Sequence, residues 1–306
     1  MADTQHIAVI GAGLMGHGIA LTLAKAGHHV TVTDPVEAAR AALADRIHAS
    51  MTAMGDGDGL IAQTLKRIDL AGATPEAVSK ADVVIEAAPE KLALKQQIFA
   101  EVEAHAPEDC ILASNTSVMP ITQIMSGLSR RTRALGTHWW NPPHMIPLVE
   151  VIKTEWTAPE VAMRVFDLLT DAGKTPVMVE KDVPGFIGNR LQHALWREAI
   201  SLVENGICDA QAVDTVIKSS FGRRLAVLGP LENADLVGTD LTLDIHNTVL
   251  QDLDHSPAPS PYLKALVGEG RLGMKTGQGF RAWTEDEANA TRQKVADHLR
   301  KLDEIL

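Results

Sequence analysis

The hydrophobic positions of the first 182 residues form short, uninterrupted apolar runs that are separated by longer stretches of helix-forming residues. Apolar runs without alternation are typical of strands that are covered on both faces of a sheet. Strands that alternate with helices predict βαβ units and a mostly parallel, doubly wound sheet of the α/β class. The predicted strands are His6–Ile10, His29–Asp34, Ala81–Ala88, Cys110–Asn115, Thr132–Trp139, Leu148–Lys153 and Thr175–Glu180, and the helices predicted between them include Met15–Ala26, Pro35–Met54 and Leu92–His105.

The pattern changes at Asp182-Val-Pro-Gly185, a cluster of residues that interrupt regular structure. From Phe186 to Glu204 apolar residues recur at helical spacing, and Asn205-Gly206 is a typical helix end. Further helices are predicted over Ala210–Ser219 and Glu285–Leu306, and no segment after residue 182 has a convincing strand pattern. We therefore predict an α/β domain over residues 1–183 and an all-α domain over residues 184–306.

Composition and charge exclude several classes of protein. The 306 residues carry 28 basic and 39 acidic side chains, a net charge of −11, which disfavours binding to nucleic acid or to an anionic membrane. No apolar run reaches the ~18 residues of a membrane span, and the N-terminal residues lack the basic stretch of a signal peptide. The only two cysteines, Cys110 and Cys208, cannot make a zinc site or a disulfide framework. We expect a cytoplasmic protein without a metal ion.

The segment Gly11-Ala-Gly13-Leu-Met-Gly16 follows the first predicted strand and begins the first predicted helix. In a Rossmann-type fold, Gly11 allows the tight turn, Gly13 lets the backbone approach a pyrophosphate, and Gly16 lets the helix pack closely against the strand. The helix N-terminus, around Leu14 and Met15, supplies free N–H groups and a favourable dipole for the phosphates. This context predicts a dinucleotide site, with an FAD site and a turn that binds no ligand as the alternatives.

An acidic residue distinguishes between the nicotinamide cofactors. Asp34 ends the next predicted strand, 18 residues after Gly16, where a carboxylate accepts hydrogen bonds from the ribose hydroxyls of NAD. The same carboxylate repels the 2′-phosphate of NADP, and Pro35 offers no basic replacement. Arg40 is the nearest cation, and we consider it too far along the predicted helix to change this choice. We therefore expect NAD as the cofactor.

A histidine and a glutamate lie where the substrate of such a fold would bind. The strand predicted over Thr132–Trp139 ends in His138-Trp-Trp-Asn141-Pro-Pro, and Glu150 lies in the next predicted strand. Ligands bind at the carboxyl ends of the strands in doubly wound sheets, which places His138 beside a nicotinamide. Oxidation of an alcohol requires a base for the hydroxyl proton, and histidine suits this role near neutral pH. A carboxylate such as Glu150 can orient the ring and stabilise its charged form.

A series of motifs occurs in order along almost the whole chain. They are Gly11–Gly16, Glu86–Glu90, Ser114–Ser117, Gly136–Pro142, Leu148–Val151, Pro184–Arg190, Gly229–Glu232 and Lys275–Phe280. In these motifs the chain resembles the L-3-hydroxyacyl-CoA dehydrogenase family. The resemblance implies an NAD-dependent enzyme that oxidises a secondary hydroxyl reversibly to a ketone. It also implies that the helical domain binds substrate and forms a homodimer.

The resemblance further implies roles for single residues. His138 would be the general base and Glu150 its partner. Ser117 and Asn141 would hold the reacting oxygen, and Asn189 would lie near the same site. For Ser117 the alternative is a cap or turn after a strand, and for Asn141 it is a simple turn.

On the cofactor side, Glu90 and Lys95 match the family positions that contact the nicotinamide half of NAD. A solvated helix start is the alternative for both residues. The spacing of histidines, cysteines and acids suggests no metal site, so no metal ligand is predicted.

The segment after the predicted catalytic histidine departs from the family pattern. The family usually carries two phenylalanines where this chain has Trp139 and Trp140, and His144 stands where a small apolar residue is more usual. Two indoles add bulk and N–H donors beside the reactive centre. Both changes would reshape the substrate pocket.

The charge of the stretch from Pro35 to Leu65 is a second departure. This stretch is lysine-rich in acyl-CoA enzymes of the family, but here its only cations are Arg40 and Arg46. Its acidic residues are Glu37, Asp45, Asp56 and Asp58. An acidic segment is a poor electrostatic host for the polyanionic CoA.

Two substrate classes remain. A 3-hydroxyacyl-CoA thioester is slightly favoured, because it defines the family, and would place the enzyme in fatty acid metabolism. The alternative is a free hydroxy carboxylate, as in the carnitine, gulonate and pyridine-carboxylate dehydrogenases of the superfamily. Arg190, Arg223 and Arg224 would be candidates to hold that carboxylate, or are simply surface charges.

Two further hypotheses assign a different class. A hydroxyisobutyrate-type dehydrogenase begins with a similar glycine motif but uses a catalytic lysine, so that His138 and Glu150 would have no role in it. A protein that binds NAD without catalysis is the other hypothesis.

Overall fold

The structure is a computed structural model that describes residues 4–303 and residue 305. The chain divides into two compact units, the first comprising Met1–Arg190 with Leu299–Leu306 and the second comprising Leu191–His298. The domain boundary that the sequence predicts near Val183 stays a prediction. In the described residues, no helix combines the length and the apolar composition that crossing a bilayer requires.

The first unit is built on one eight-stranded sheet with the strand order β3-β2-β1-β4-β5-β6-β7-β8. The strands are β1 (His6–Ile10), β2 (His29–Thr33), β3 (Ile68–Ala71), β4 (Val83–Glu86), β5 (Ile111–Ser114), β6 (Ala134–Trp139), β7 (Leu148–Lys153) and β8 (Thr175–Val179). All neighbouring strands are parallel except β6 and β7, which are antiparallel. The predicted α/β class with a mostly parallel sheet is confirmed.

Helices cover both faces of this sheet and continue through the second unit. They are α1 (Leu14–Lys25), α2 (Glu37–Ala41), α3 (Leu43–Met54), α4 (Asp58–Leu65), α5 (Thr74–Val78), α6 (Leu92–His105), α7 (Ile121–Ile124), α8 (Pro159–Asp171), α9 (Gly188–Glu204), α10 (Ala210–Ser219), α11 (Pro230–Val237), α12 (Thr239–Val249), α13 (Pro261–Gly268) and α14 (Glu285–Asp303). The segment predicted as one helix over Pro35–Met54 is two helices, α2 and α3, which meet at Ala42.

Alternation along β1 shows how the sheet forms two cores. Ile7 and Val9 belong to the cluster on one face, together with side chains of α1, α3, α4 and α8. Ala8 and Ile10 belong to the cluster on the other face, together with side chains of α5, α6 and α7. A strand with both faces buried is apolar at every position, which explains the uninterrupted runs in the sequence.

The edge strand β3 is absent from the predicted strands. Its burial pattern differs from that of β1, because Asp69 and Leu70 are exposed and only Ala71 is buried. An edge strand lacks a neighbour on one side and leaves polar positions in water. Its four residues therefore carry no apolar run that would reveal the strand.

The second unit is helical in its described residues, with isolated bridges near Gly273 and Gln278 rather than a strand. The predicted helix over Ala210–Ser219 is present, and the carboxylate of Asp209 accepts a hydrogen bond from its Ala212 N–H group. Helices α9, α10, α11 and α12 contain no buried residue. The apolar side chains of these helices are therefore at most partly buried within the single chain.

Candidate active site

The glycine turn between β1 and α1 has the geometry of an anion-binding turn. Gly11 has a φ of +115°, which an L side chain rarely adopts. A Cβ at Gly16 would lie 1.8 Å from the Gly11 carbonyl oxygen, whereas a Cβ at Gly13 would meet no atom within 4 Å. No side chain caps the start of α1, so the N–H groups around Leu14 and Met15 have no hydrogen bond from a capping side chain. These features fit the pyrophosphate of a dinucleotide.

Asp34 joins the end of β2 to this turn. Its Oδ2 accepts a hydrogen bond of 2.9 Å from the Ala12 N–H group, and its Oδ1 accepts one of 2.8 Å from the Val36 N–H group. A carboxylate held at this position has lone pairs left for the hydroxyls of a ribose. Helix α2 brings Arg40 to the Asp34 carbonyl oxygen, to which its Nη1 donates a hydrogen bond. Arg40, which the sequence interpretation placed too far along the helix to affect the choice of NAD, thus lies beside the Asp34 backbone, where it binds a carbonyl group.

A buried ion pair lies below the carboxyl ends of β4 and β5. The Lys95 Nζ atom donates hydrogen bonds of 2.6 Å to Glu86 Oε1 and of 3.1 Å to the Ala88 carbonyl oxygen. The Ser114 hydroxyl donates to Glu86 Oε2 at 2.6 Å. Both charged side chains are fully buried. Because the Lys95 side chain has no accessible surface, this arrangement does not support its expected direct contact with the cofactor.

Glu90 connects this pair to the loop that follows β5. Its carboxylate accepts hydrogen bonds from the Thr116 hydroxyl at 2.9 Å and from the Ser117 N–H group at 2.5 Å. Its Oε2 also lies 3.7 Å from Lys95 Nζ. The structure therefore brings Glu90, predicted on the cofactor side, next to Ser117, predicted on the substrate side. The Glu90 side chain remains 40% exposed and is accessible to a ligand.

The antiparallel pairing of β6 and β7 places His138 directly opposite Glu150. His138 Nδ1 lies 2.7 Å from Glu150 Oε2, and both side chains are buried. The other carboxylate oxygen accepts hydrogen bonds from the N–H groups of Ile187 and Gly188 at 2.8 and 3.0 Å. An ionised carboxylate has no proton to donate, so the hydrogen bond requires a protonated Nδ1 and leaves a lone pair on Nε2.

The surroundings of Glu150 favour its ionised form. Burial alone would raise the pKa of this carboxyl, but the hydrogen bonds from His138 and from the two backbone N–H groups hold the pKa below its usual value. The residue therefore carries a negative charge next to the imidazole at neutral pH. A neighbouring negative charge stabilises a protonated histidine.

Two aromatic rings flank the imidazole of His138. Its ring centroid lies 5.2 Å from that of Trp140 and 5.6 Å from that of Phe186. A Cβ at Gly188 would lie 2.4 Å from Cζ2 of Trp140, so the absence of a side chain there makes room for the indole. The Trp140 Nε1 atom is buried, with no hydrogen-bond partner among the described residues. Trp140 therefore forms part of the wall beside the candidate base.

The structure brings the remaining predicted substrate residues to the same edge of the sheet. The Asn189 side-chain amide donates a hydrogen bond of 2.7 Å to the Ser117 carbonyl oxygen. Asn141 is exposed in the loop that follows β6. Asn115, which ends the strand predicted over Cys110–Asn115, accepts a hydrogen bond of 3.0 Å from the Trp139 N–H group. This bond fixes the end of β5 against the end of β6, next to His138.

The carboxyl ends of β1, β2, β4, β5 and β6 thus bring the glycine turn, Asp34, Glu90, Ser117 and His138 to one edge of the sheet, with Glu150 contributed by β7. Arg190, a candidate for a substrate carboxylate, is exposed, and its Nη1 donates to the Pro184 carbonyl oxygen at 3.4 Å. Within residues 4–303 and residue 305, no three metal-binding side chains lie close enough together to hold a metal ion.

A dinucleotide turn and a histidine with a carboxylate partner at the same edge of one sheet are typical of a nicotinamide-dependent oxidoreductase. Residues 6–183 match the NAD-binding domain of 3-hydroxyacyl-CoA dehydrogenase, and residues 185–283 match the C-terminal domain of the same enzyme. The chain therefore belongs to the 3-hydroxyacyl-CoA dehydrogenase family. It is an NAD-dependent oxidoreductase that acts on CH–OH groups.

The chain is similar over most of its length to relatives with different names. It is 35% identical to the 5-formyl-3-hydroxy-2-methylpyridine 4-carboxylate 5-dehydrogenase of Mesorhizobium japonicum, over 97% of this chain and 96% of that protein. It is 37% identical to the mitochondrial hydroxyacyl-coenzyme A dehydrogenase of Homo sapiens, over 90% of each chain.

Solved structures show the same two kinds of relative. A crystal structure of the pyridine-carboxylic acid 5-dehydrogenase, described as an NAD⁺-dependent dismutase, superposes with a TM-score of 0.90 at 34% identity and covers 99% of this chain and 98% of that one. The (S)-3-hydroxybutyryl-CoA dehydrogenase PaaH1 from Ralstonia eutropha superposes with a TM-score of 0.77 at 30% identity and covers 92% and 100%.

Proposed function

We propose that the protein oxidises a hydroxyl group of its substrate with NAD and uses His138 as the general base. The hydrogen bond of 2.7 Å between His138 Nδ1 and Glu150 Oε2 carries this proposal. It supports a ring whose Nε2 is free to accept a proton, at the edge of the sheet where ligands of doubly wound folds bind. The same residues would return the proton when the ketone is reduced.

The residues of the first unit fit the cofactor. Gly13 and the N–H groups of Leu14 and Met15 would hold the pyrophosphate, and Asp34 would accept hydrogen bonds from the ribose. Glu90 would face the nicotinamide half of NAD. Lys95, whose Nζ atom lies 3.7 Å from Glu90 Oε2, would help to hold the Glu90 carboxylate in place. Bound NAD supplies the hydride acceptor for oxidation and, when reduced, the hydride donor for the reverse reaction.

Proton transfer follows from the charges around His138. Nε2 takes up the proton of the substrate hydroxyl, and the ring becomes a cation. The Nδ1–H group then points at the ionised Glu150 carboxylate, which stabilises this cation where water cannot do so. The Ile187 and Gly188 N–H groups keep the carboxylate in place during the transfer. Glu150 therefore orients the base and does not itself take up the proton.

Two polar residues would hold the reacting oxygen, and a third would position one of them. We assign this role to Ser117 through its hydroxyl and to Asn141 through its amide. The Asn189 amide donates to the Ser117 carbonyl oxygen, so we assign to Asn189 the positioning of the Ser117 loop. Their hydrogen bonds would orient the substrate carbon for hydride transfer.

For the substrate, we place a free hydroxy carboxylate first and a 3-hydroxyacyl-CoA thioester second, which reverses the order that the sequence favoured. The two cations of the acidic segment α2–α4 donate hydrogen bonds to backbone carbonyl groups at the glycine turn and at Asp34. They are not spread along the segment as a site for CoA phosphates would require. The similarity to a pyridine-carboxylate dehydrogenase along almost the whole chain supports the same order.

The test is NADH formation by the purified protein on matched substrates. Free aliphatic and aromatic hydroxy carboxylates are compared with L-3-hydroxybutyryl-CoA, and each is assayed with the wild-type protein and with His138→Gln. We expect higher kcat/KM for a free acid, and loss of turnover in the variant by about 10²–10⁴-fold with NADH binding retained. Preferred turnover of the thioester would reverse the substrate order, and an active His138→Gln variant would overturn the assignment of the base.

We also propose that the protein forms a homodimer through its helical part. Leu231 and Leu236 of α11 are 80% and 71% exposed, and Leu243 of α12 is 60% exposed. Apolar surface on neighbouring helices favours an interface, and a second copy of the chain is the occupant that the family resemblance implies. Analytical ultracentrifugation should show a dimer.

The domain boundary between residues 183 and 184 and a cytoplasmic location stay predictions.

A further inference from the structure

Arg46 reaches the glycine turn from a helix that the dinucleotide motif does not include. It lies in the first turn of α3, and its Nη1 donates a hydrogen bond of 2.9 Å to the Ala12 carbonyl oxygen. The N–H group of the same residue, Ala12, donates to Asp34. Both polar groups of the Ala12 backbone are therefore bound, one by a carboxylate and the other by a guanidinium. The conformation of the turn depends on both side chains.

The guanidinium of Arg46 makes no ion pair with a described residue. Arg46 is exposed, and in the part of the chain that the structure describes no carboxylate lies within 4.0 Å of its guanidinium. By contrast, Lys25 at the other end of α1 pairs with Asp56 at 2.7 Å. A guanidinium has five N–H donors in a planar fork that suits phosphate, and this one uses only Nη1 for Ala12.

The hydrogen bond to Ala12 places the Arg46 guanidinium next to the glycine turn. The Ala12 carbonyl oxygen lies one residue before Gly13, beside which the structure leaves open space. The N–H groups at the start of α1 face the same turn, and a helix N-terminus attracts anions. A mobile cation on a solvated helix would not bind a carbonyl group of the turn. The geometry instead adds a fixed positive charge to a site that already favours phosphate.

We propose that Arg46 is a cofactor-binding residue, whose guanidinium contacts the pyrophosphate of NAD while its bond to Ala12 keeps the glycine turn in shape. The proposal rests on the NAD site and not on the substrate or on the His138–Glu150 pair. It also accounts for one of the two cations in a segment that lacks the lysines expected of a CoA site.

The test is equilibrium binding of NADH, followed by its fluorescence, over a range of salt concentrations. Arg46→Gln should weaken binding about tenfold at low salt, because a hydrogen bond to a charged group is lost. Its binding should also depend less steeply on salt than that of the wild type, because one cation fewer meets the phosphates. Arg46→Lys should restore part of the affinity, since it keeps the charge but not the fork.

Arg67→Gln is the matched control. Arg67 Nη1 donates to the Ala24 carbonyl oxygen at 3.4 Å, so it makes the same kind of bond at the opposite end of α1. This variant should bind NADH as the wild type does. Unchanged affinity of Arg46→Gln would overturn the proposal, and so would weaker binding with the salt dependence of the wild type, since it would show a role in turn shape alone.

The same titration separates this proposal from the proposed function. A wild-type protein that binds NADH but oxidises no hydroxy acid or thioester would contradict the function and leave the role of Arg46 intact. ADP-ribose contains the pyrophosphate, and adenosine does not. Competition of each with NADH therefore tests whether Arg46 acts on the pyrophosphate part of the cofactor. Arg46→Gln should weaken the binding of ADP-ribose and leave that of adenosine unchanged, and equal weakening of both would contradict the contact.

Discussion

The two units bury their apolar side chains to very different extents. In the first unit, residues such as Leu21 and Leu135 are 1% and 0% exposed, and clusters fill both faces of the sheet. In the second unit, helices α9–α12 bury no residue, and Leu231 is 80% exposed. The α/β unit therefore contains a complete core, whereas the helical unit presents the kind of surface that a partner covers. The difference separates a unit with its own core from a unit whose exposed apolar surface supports the proposed dimer interface.

The largest effect on stability should come from the buried ion pair of the first unit. Lys95→Met leaves the carboxylate of Glu86 buried without its cation, which should cost about 3–5 kcal/mol of unfolding free energy. Lys218→Met in α10 removes an exposed cation 3.4 Å from Asp214 and should change stability by less than about 0.5 kcal/mol. Urea unfolding at neutral pH measures both, and equal losses would remove the contrast between the units.

One substitution made in both units sharpens the comparison. Leu135→Ala opens a cavity in the core of the sheet and should lower the unfolding free energy by about 2–5 kcal/mol. Leu231→Ala should leave the stability of the monomer nearly unchanged and weaken self-association. Denaturant unfolding and ultracentrifugation distinguish the two effects. Wild-type self-association of the Leu231 variant would contradict α11 as part of the interface.

Two glycines of the turn separate the fold from cofactor binding. Gly16→Ala forces a Cβ to within 1.8 Å of the Gly11 carbonyl oxygen and should cost about 1–3 kcal/mol of stability as the helix moves away. Gly13→Ala meets no protein atom within 4 Å, so it should keep the stability and weaken only the binding of NADH. Thermal unfolding and NADH titration test the pair. A stable Gly16→Ala variant would contradict the close packing of α1.

The smallest predicted effect is a pH dependence of the first unit. Burial, with repulsion from His17 and Lys174, lowers the pKa of His144 to about 4. Above the unfolded pKa of about 6.5 the folded and unfolded states are both neutral at this residue. As the pH falls towards 4, the unfolded state binds the proton first, so stability falls by on the order of 1 kcal/mol. His144→Gln should lose less stability than the wild type between pH 6.5 and 4.

The sequence predicts the central strands and the site candidates, because both depend on local patterns. Uninterrupted apolar runs reveal strands covered on both faces. The glycine motif lies within a single turn, so its function can be predicted without knowledge of distant partners. The pair His138 and Glu150 is different. Its contact depends on the antiparallel register of β6 and β7, which a mostly parallel interpretation of the sheet does not contain.

The features that the sequence interpretation missed depend on distant partners. The burial of Lys95 follows from Glu86 and Ser114, which lie on two other elements. The acid at the end of an apolar strand, nine residues before a lysine, is the only local signal of that pair. Arg46 was counted only as a charge of its segment, because nothing local shows that α3 brings it to Ala12. Tertiary packing decides these contacts.

We propose that an ionised Glu150 makes His138 an effective base without taking part in cofactor binding. Glu150→Gln tests it most directly, because glutamine keeps an oxygen for the Ile187 and Gly188 N–H groups but turns an NH2 donor, without charge, towards His138 Nδ1 in place of the carboxylate acceptor. Turnover and the Kd of NADH are measured on the same preparation. The account predicts that kcat falls by about 10²-fold or more while the Kd stays within about twofold. Wild-type turnover of this variant would contradict the account.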